Sequence, residues 1–329
     1  MQHVIVLVVV FLIANLVYGA EYIAPVFELP DPDAWTYEEK YGVPDIIVSS
    51  PAVDIPANGT DLWAKHITRV GNTRDRAIRA IQVKPRGDAK SVVHHANSSI
   101  LVDGERFGML TEYAMGKIGE EVPVDVYRKL PANAEVLWDI HMFPGGVGAG
   151  AEGLAVLDNV VEVAIWLVDD DEAAALEYEQ DLSLYQISQQ SDIVIPPNGY
   201  LITQGFHSFD HPVRLDSWQP HGHLRMVAAS IEIFYPETGK LEAISQVSNW
   251  SATWHHSHKY GATVAPLIPA GAVIVMRQWY DNTADNINNP DPDQWVLGGS
   301  RTGDEMTHAW LAVTHLDEDG FDSMTAERI

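Results

Sequence analysis

The chain has 329 residues, of which 46% are hydrophobic, a formal net charge of −26 and no cysteine. This length fits two domains of ordinary size, and the apolar content excludes a disordered chain. The acidic residues are spread along the chain, which is typical of a soluble protein. Their negative charge should repel phosphate backbones, so nucleic acid is excluded as a partner. Without cysteine, disulfides and thiolate metal sites are excluded, and any metal would be held by His, Met, carboxylate or backbone oxygen.

Residues 1–20 form an apolar segment that lacks acidic residues, Lys and Arg and that ends in small residues. The segment is short for a membrane span, so it predicts a secretory signal peptide that is cleaved near Gly19 or Ala20, with Gly19 the better site. The folded part would then be exported, to a periplasm or to the extracellular medium. An uncleaved N-terminal anchor is the alternative. Because no other stretch is long and apolar enough to span a bilayer, we expect no stable membrane insertion after cleavage.

Strand patterns dominate the remaining sequence, in which β-branched and aromatic residues alternate with polar ones between Pro- and Gly-containing turns. Typical segments are SVVHHANSSILV, AEVLWDIHMF, VVEVAIWLV, LRMVAASIEIFY and GAVIVMRQWY. The clearest helical candidate, residues 171–179, is short and is expected to be a linker. Many short strands with regular turns predict an all-β fold, made of two tandem antiparallel β-sandwich domains of jelly-roll-like type.

The boundary between these domains is predicted within residues 181–192, which follow an acidic stretch and precede the strand-like segment IVIPPNGY. The first domain would comprise residues 21–180 and the second domain residues 181–315. Residues 316–329 would form an acidic tail.

Three histidines of the first domain lie in apolar strand patterns. His94 and His95 are adjacent in VVHHANSSI, and His141 lies in VLWDIHMF. Because side chains alternate between the two faces of a strand, adjacent histidines reach one metal only if the strand twists or bulges there. Taken alone, the pair favours one core histidine beside one exposed histidine, and His141 favours a hydrogen-bonded core residue.

A His-x-His motif, His221 and His223 around Gly222, lies in the second domain. Spacing of two puts both imidazoles on one face of a strand, which is the usual way a β-protein presents two nitrogens to one metal. Met306 ends the polar loop GGSRTGDEM. A lone methionine usually packs in a core, but beside two imidazoles its thioether would favour copper. A cupin is the competing metal site, in which the paired histidines meet a later carboxylate such as Glu232.

Two further histidine clusters lie in polar segments. His255, His256 and His258 belong to SATWHHSHKYG, and His207 and His211 belong to HSFDHP. Either cluster could bind a metal at the surface. Because no regular element fixes their geometry, both clusters are expected to be solvated polar loops.

Together these positions resemble the copper type II, ascorbate-dependent monooxygenases. That family includes the peptidylglycine α-hydroxylating and dopamine β-monooxygenases, and the closest likeness is to its bacterial members. The resemblance covers most of the chain after about residue 90. The segments that carry it are VVHHANSSILV, EYAMGKIGEEVPVDVYRKLPANAEVLWDIHMF, QPHGHLRMVAASIEIFYPETGK and WYDNTADNINNPDPDQWVLGGSRTGDEM. They are similar, in order, to the family's paired-histidine strand, third histidine, His-x-His strand and methionine loop.

The resemblance implies two copper ions per chain, on separate domains that face each other across a solvent-filled cleft. It also implies that ascorbate or a similar one-electron donor reduces the copper, and that O₂ is used to hydroxylate a C–H bond of a small organic substrate. The ligands it implies are His94, His95 and His141 for an electron-transfer site, and His221, His223 and Met306 for an oxygen-activating, catalytic site.

Several positions depart from the family's animal members, which also carry disulfides. Gln219 stands where the animal peptide hydroxylase has an arginine that anchors the substrate carboxylate, and His308 and Trp310 stand where it has asparagine and tyrosine. Peptide amidation is therefore not expected, and the substrate stays open.

Two other classes of protein remain as alternatives. One is an exported copper-binding protein without turnover. The other is a cupin-like or lectin-like sandwich that binds Zn²⁺, Mn²⁺ or Ca²⁺, and it predicts that His94 and His95 are far from any metal and that Met306 lies in the core.

Overall fold

The computed structural model describes residues 33–56, 62–114, 116–117, 119–142, 155–252 and 255–328. Strands in mostly antiparallel sheets form nearly all of its regular structure, which confirms the predicted all-β fold. The predicted signal peptide, residues 1–20, lies outside the described residues.

The strands fall into two halves of the chain, before and after residue 170. Those of the first half are β1 (Ile46–Ser49), β2 (Val53–Ile55), β3 (Leu62–Arg69), β4 (Arg76–Pro85), β5 (Val93–Val102), β6 (Glu105–Ala114), β7 (Glu120–Glu121), β8 (Val126–Leu130), β9 (Glu135–Met142), β10 (Val156–Asn159) and β11 (Val161–Leu167). Those of the second half are β12 (Tyr178–Gln186), β13 (Val194–Ile195), β14 (Tyr200–Ser208), β15 (Val213–His221), β16 (Met226–Tyr235), β17 (Lys240–Ser248), β18 (His258–Lys259), β19 (Leu267–Ile268), β20 (Val273–Asp281), β21 (Val296–Leu297) and β22 (His308–His315).

Helices are few and short. They are α1 (Glu38–Tyr41), α2 (Asp170–Ala173) and α3 (Glu318–Ala326), with 3-10 turns at Gly87–Ser91 and Gln190–Asp192. The helix predicted over 171–179 is thus reduced to the four residues of α2. The predicted acidic tail forms α3, which begins where the Asp317 carboxylate accepts the Gly320 N–H at 2.7 Å. Among the described residues, no helix is both long and apolar enough to cross a membrane.

Each half contains a β-sandwich with its own apolar core. In the first half, the four-stranded sheet β3-β9-β5-β6 shares a core with β4, β8 and β11. In the second half, the four-stranded sheet β14-β20-β16-β17 shares a core with β15 and β22. Strands β4, β8, β11, β15 and β22 all belong to one ten-stranded sheet with the order β1-β11-β4-β8-β12-β22-β15-β18, to which β7 and β19 also pair. Two sandwiches therefore share one continuous sheet.

The predicted domain boundary falls on the strand that joins these halves. Residues 181–192 begin inside β12, which pairs in parallel with β8 on one side and antiparallel with β22 on the other. Strand pairing across the boundary explains why residues from Trp35 onward form one compact unit. The division into tandem domains remains a prediction.

A buried polar network also crosses the junction. The Arg128 guanidinium donates to the Gln180 side chain at 2.7 Å, and the Gln180 amide donates to Asp216 at 2.7 Å. Asp216 in turn accepts from Arg214 at 2.7 Å, and Arg214 forms a second ion pair with Asp125. The Arg214 side chain is only 2% exposed. Because each buried charge has a partner, the network can lie in the interior, and it fixes β8, β12 and β15 relative to one another.

Replacing Asp216 by Ala should leave the buried Arg214 guanidinium without one of its two carboxylate partners. It would also remove the acceptor of the Gln180 amide and of the Thr314 hydroxyl. Breaking a buried ion pair by removing one partner costs about 3–5 kcal/mol. We expect the free energy of unfolding, measured by urea denaturation with circular dichroism, to fall by about this amount.

The matched control is Asp170→Ala, which removes the carboxylate paired with Arg74 at the surface. Both of those side chains are 58% exposed, so solvent screens the pair and the loss of stability should be much smaller than for Asp216→Ala. Equal losses for the two variants would show that the interior network adds nothing to stability beyond an ordinary surface pair.

Candidate metal centre

The first histidine group consists of His94, His95 and His141. Their ligand atoms all lie within 4.8 Å of one another. The β5–β9 register shifts between Val93 and His95, so that His94 is an extra residue in β5. A bulge is what two adjacent histidines need in order to reach one metal. It lets the side chains of His94 and His95 turn towards the same side as His141.

The spacing of the three rings fits binding to a common ion. Two imidazoles that hold one ion at about 2.0 Å from a ring nitrogen have ring centres roughly 5–5.5 Å apart. The ring centre of His94 lies 5.4 Å from that of His95 and 5.4 Å from that of His141, and the ring centres of His95 and His141 are 5.0 Å apart. Trp63, opposite His141 in the β3–β9 register, stacks on the His141 ring at 4.4 Å and holds its orientation.

The second group contains the His-x-His motif, with ring centres 5.6 Å apart. The sequence placed both histidines on one strand, but β15 ends at His221 and His223 lies in the turn before β16. A Cβ on Gly222 would come within 2.5 Å of the Met226 sulfur, so the absence of a side chain at this position lets Met226 pack against the backbone.

A buried carboxylate holds the turn that carries His223. Glu305 accepts the backbone N–H of His223 at 2.7 Å and that of Arg225 at 2.6 Å. The Nδ1 atom of His223 lies 3.0 Å from the carbonyl oxygen of Asp304. Because a carbonyl can only accept, Nδ1 carries the proton and Nε2 keeps the lone pair that a metal would bind.

Met306 follows directly after Glu305 and precedes β22. Its side chain is half-buried, and its backbone carbonyl accepts the Tyr280 hydroxyl at 2.7 Å. The methionine is therefore attached to the same fixed segment that positions His223. The partial exposure of Met306 differs from the core position that the cupin-like alternative expects.

Two more histidines belong to this cluster and were missed by the sequence-based prediction. His308 lies opposite His221 in the β15–β22 register and stacks on its ring at 4.4 Å. His255 was expected in a solvated loop, but it is 1% exposed and lies 4.9 Å from the His221 ring, with Trp250 against it. The apolar run that follows His308 in β22 could have indicated its burial, whereas the polar sequence around His255 gives no such signal.

The two groups are contiguous. The His95 and His221 ring centres are 6.2 Å apart, and both side chains are buried. The solvent-filled cleft implied by the resemblance is therefore wrong for this pair of rings. The reason is a direct contact between the halves: the Gln219 amide on β15 donates to the buried Glu112 carboxylate on β6 at 2.6 Å, two residues from His221.

Burial controls the charge of the cluster. It lowers the pKa of His94 and His223 to about 4 and that of His255 and His308 to about 3, with neighbouring histidines contributing. Burial raises the pKa of Glu305 to about 7, opposed by its hydrogen bonds from the Arg225 and His223 backbone. At neutral pH the imidazoles are therefore uncharged, which is the form that binds metal ions.

The buried ring nitrogens indicate what the cluster can hold. Nδ1 of His94, both nitrogens of His95 and Nδ1 of His221 have no hydrogen-bond partner among the described residues. Buried polar groups are normally hydrogen-bonded, so several such nitrogens in one place call for another partner. A transition-metal ion fits, because neutral imidazole and thioether are ligands for copper, and imidazole alone also suits zinc.

The other candidate residues lie elsewhere. His256 is exposed, and His258 is half-buried against Trp218. His211 contacts the Asp210 carboxylate and His315 at 2.7 and 2.8 Å. The half-buried His207 packs against Tyr185 and Phe209. The Glu232 carboxylate, proposed as a cupin ligand, forms an ion pair with Arg277.

No family model and no curated protein matches the chain. Similar solved structures include PNGF-II, at 9% identity and a TM-score of 0.29, covering 83% of this chain and 66% of that one. Others are a Paenibacillus xanthan lyase (10%, TM-score 0.20, covering 86% and 26%) and the Clostridium perfringens ZmpB M60 catalytic domain with its CBM51 domains (9%, TM-score 0.18, covering 83% and 38%). This chain spans at most 66% of the length of each of these proteins. The resemblance to copper monooxygenases stays a prediction.

Removing the Glu305 carboxylate should loosen the turn that carries His223. Glu305→Ala leaves two buried N–H groups without acceptors, which costs about 1–3 kcal/mol. Glu305→Gln keeps one carbonyl acceptor and should lose less. Urea denaturation measures both losses, with the exposed Glu237→Ala as a control that should change stability by at most about 0.5 kcal/mol. A Glu305→Ala variant as stable as this control would contradict the assigned role.

The metal-free protein should lose stability as the pH falls. The usual histidine pKa of 6.5 is lowered to about 4 for His94 and His223. Between these values the unfolded chain binds protons that the folded chain does not, so the stabilisation is complete above pH 6.5 and is lost towards pH 4. One pK unit corresponds to about 1.4 kcal/mol. We expect the urea midpoint to fall steadily from pH 7.5 to pH 5.

The carboxyl group of Glu305 acts in the opposite direction. Because its pKa is raised to about 7, it stabilises the folded state at low pH and loses that effect as the pH rises through 7. One carboxyl offsets only part of the effect of several histidines. A midpoint that rises as the pH falls would show that the imidazoles are not held neutral by burial.

Proposed function

We propose that the protein is a copper-dependent monooxygenase that hydroxylates a C–H bond of a small organic substrate with O₂ and an ascorbate-like electron donor. The observation that carries the proposal is the convergence of His94, His95 and His141 beside His221 and His223. Buried ring nitrogens of His94, His95 and His221 have no hydrogen-bond partner among the described residues. A bound metal would accept the lone pair of one nitrogen from each of these rings.

The donor set favours copper over other ions. Three imidazoles alone would suit zinc as well as copper. A thioether beside two imidazoles selects copper, because the soft sulfur stabilises the reduced ion. Met306 is attached through Glu305 to the turn that carries His223, which supports its assignment as that sulfur ligand.

Copper, when bound, supplies one-electron reduction of O₂, which protein side chains cannot perform. The chain's own residues prepare the site. The buried imidazoles are uncharged at neutral pH, and Glu305 holds the turn on which His223 lies. Most members of the two groups are buried, whereas His94 and Met306 are partly exposed, so O₂ and substrate would approach beside these two residues.

The substrate is not expected to be anchored as a peptide carboxylate. Gln219, at the position of the anchoring arginine of the animal peptide hydroxylase, is buried and donates to Glu112. His308 stacks on His221, and Trp310 is buried beside it. These three side chains are engaged in packing, which supports a substrate other than a peptide terminus.

A copper-binding protein without turnover is the second candidate, and the burial of the histidines favours it. His141, His221 and His223 are each at most 2% exposed. Oxygen consumption by copper-loaded protein with ascorbate and a panel of C–H substrates separates the two candidates. Product formed in step with oxygen uptake supports the monooxygenase, and stable copper binding without coupled product supports binding alone.

Met306→Ala should leave the fold intact and reduce hydroxylation by more than about 100-fold, because it removes a ligand and not merely a partner of a ligand. The readouts are product formation, copper per chain and circular dichroism. Met324→Ala, at a similarly half-buried methionine in α3, is the matched control and should hydroxylate like the wild type. Wild-type turnover in Met306→Ala would remove Met306 from the site.

A further inference from the structure

His255 lies at the junction of the two histidine groups. Its ring centre is 4.9 Å from that of His221 and 6.4 Å from that of His94. The two histidines that it approaches come from different halves of the chain. No other described histidine outside the predicted six lies between the groups in this way.

The side chain is buried without a strong polar partner. It is 1% exposed, and neither ring nitrogen has a hydrogen bond of good geometry among the described residues, with the Ala252 backbone as a weak contact. Burying an unpaired polar group costs free energy, so a buried imidazole in this state calls for a partner.

The orientation of the ring distinguishes His255 from His308. His308 is stacked on His221 with an angle of 20° between their planes, so the two rings pack face to face. His255 is at 90° to His221, with ring centres 4.9 Å apart. This separation is close to the roughly 5–5.5 Å expected for two imidazoles that share an ion, and to the 5.0 Å of His95 and His141.

We propose that His255 is a further metal ligand, which shares an ion with His221 and joins the two groups into one dinuclear centre. The proposal rests on metal binding by the proposed function, but not on hydroxylation. With metal–nitrogen distances of about 2.0 Å and the His95–His221 ring centres 6.2 Å apart, the two ions would lie within roughly 13 Å of each other.

The first test is metal affinity. Copper and zinc are titrated separately by calorimetry into wild type, His255→Ala, His255→Gln and the exposed neighbour His256→Ala. We expect both His255 variants to bind the second ion at least about 10-fold more weakly, with His256→Ala unchanged. Free imidazole should restore the affinity of His255→Ala, which a merely structural histidine would not allow. Unchanged affinity in folded His255→Gln, checked by circular dichroism, would overturn the assignment.

The second test is electron paramagnetic resonance of the protein loaded with two Cu²⁺ ions. A dinuclear centre should give dipolar broadening and a half-field transition, and both should weaken in His255→Gln. Two independent, unbroadened copper signals in the wild type would overturn the joined centre.

These readouts separate the inference from the proposed function. Metal binding and coupling that depend on His255, without hydroxylation, would leave the inference intact and refute the monooxygenase. Hydroxylation with unchanged metal binding in both His255 variants would support the monooxygenase and refute the inference. A protein that binds neither copper nor zinc would refute both.

Discussion

The constraint on which the site depends is the cost of burying imidazoles that have few hydrogen-bond partners. Several ring nitrogens in one cluster are buried and have no hydrogen-bond partner in the part of the chain that the structure describes. Each would destabilise the fold unless something else binds it. Packing compensates part of this cost, because Trp63 stacks on His141 and His308 stacks on His221. The lone pair of each neutral ring is satisfied only by a hydrogen-bond donor, by protonation or by a metal ion, and burial disfavours protonation.

The shared ten-stranded sheet explains how residues so far apart along the chain meet. Strand β12 pairs with β8 and β22, so the two sandwiches are continuous at the level of backbone hydrogen bonds. The Gln219–Glu112 hydrogen bond and the chain of buried charges through Gln180 then fix the halves at side-chain level. Because both sets of contacts include residues of β15, Gln219 and Asp216, the position of His221 relative to His95 is set by the scaffold.

The sequence predicted what local patterns determine. Alternating polar and apolar residues indicated the all-β class. The adjacent histidines required a bulge in order to share a metal, and the β5–β9 register contains one. What it could not predict depends on long-range pairing. The parallel β8–β12 contact, the short separation of His95 from His221 and the burial of His255 all follow from elements that are distant in the chain. The polar sequence around His255 even points the other way, since burial there is imposed by its neighbours.

The charge states of the cluster are consistent with a cation as the missing partner. Burial keeps His223 neutral and raises the pKa of the adjoining Glu305 to about 7, so the same environment suppresses a positive and a negative charge. A metal ion beside these groups would bind the neutral imidazoles directly and favour the ionised form of the carboxylate. The Glu305 carboxylate already accepts two backbone N–H groups, so it could become charged without rearranging the turn. The protein thus holds, next to its candidate ligands, a group able to balance part of the charge that they would bring inside.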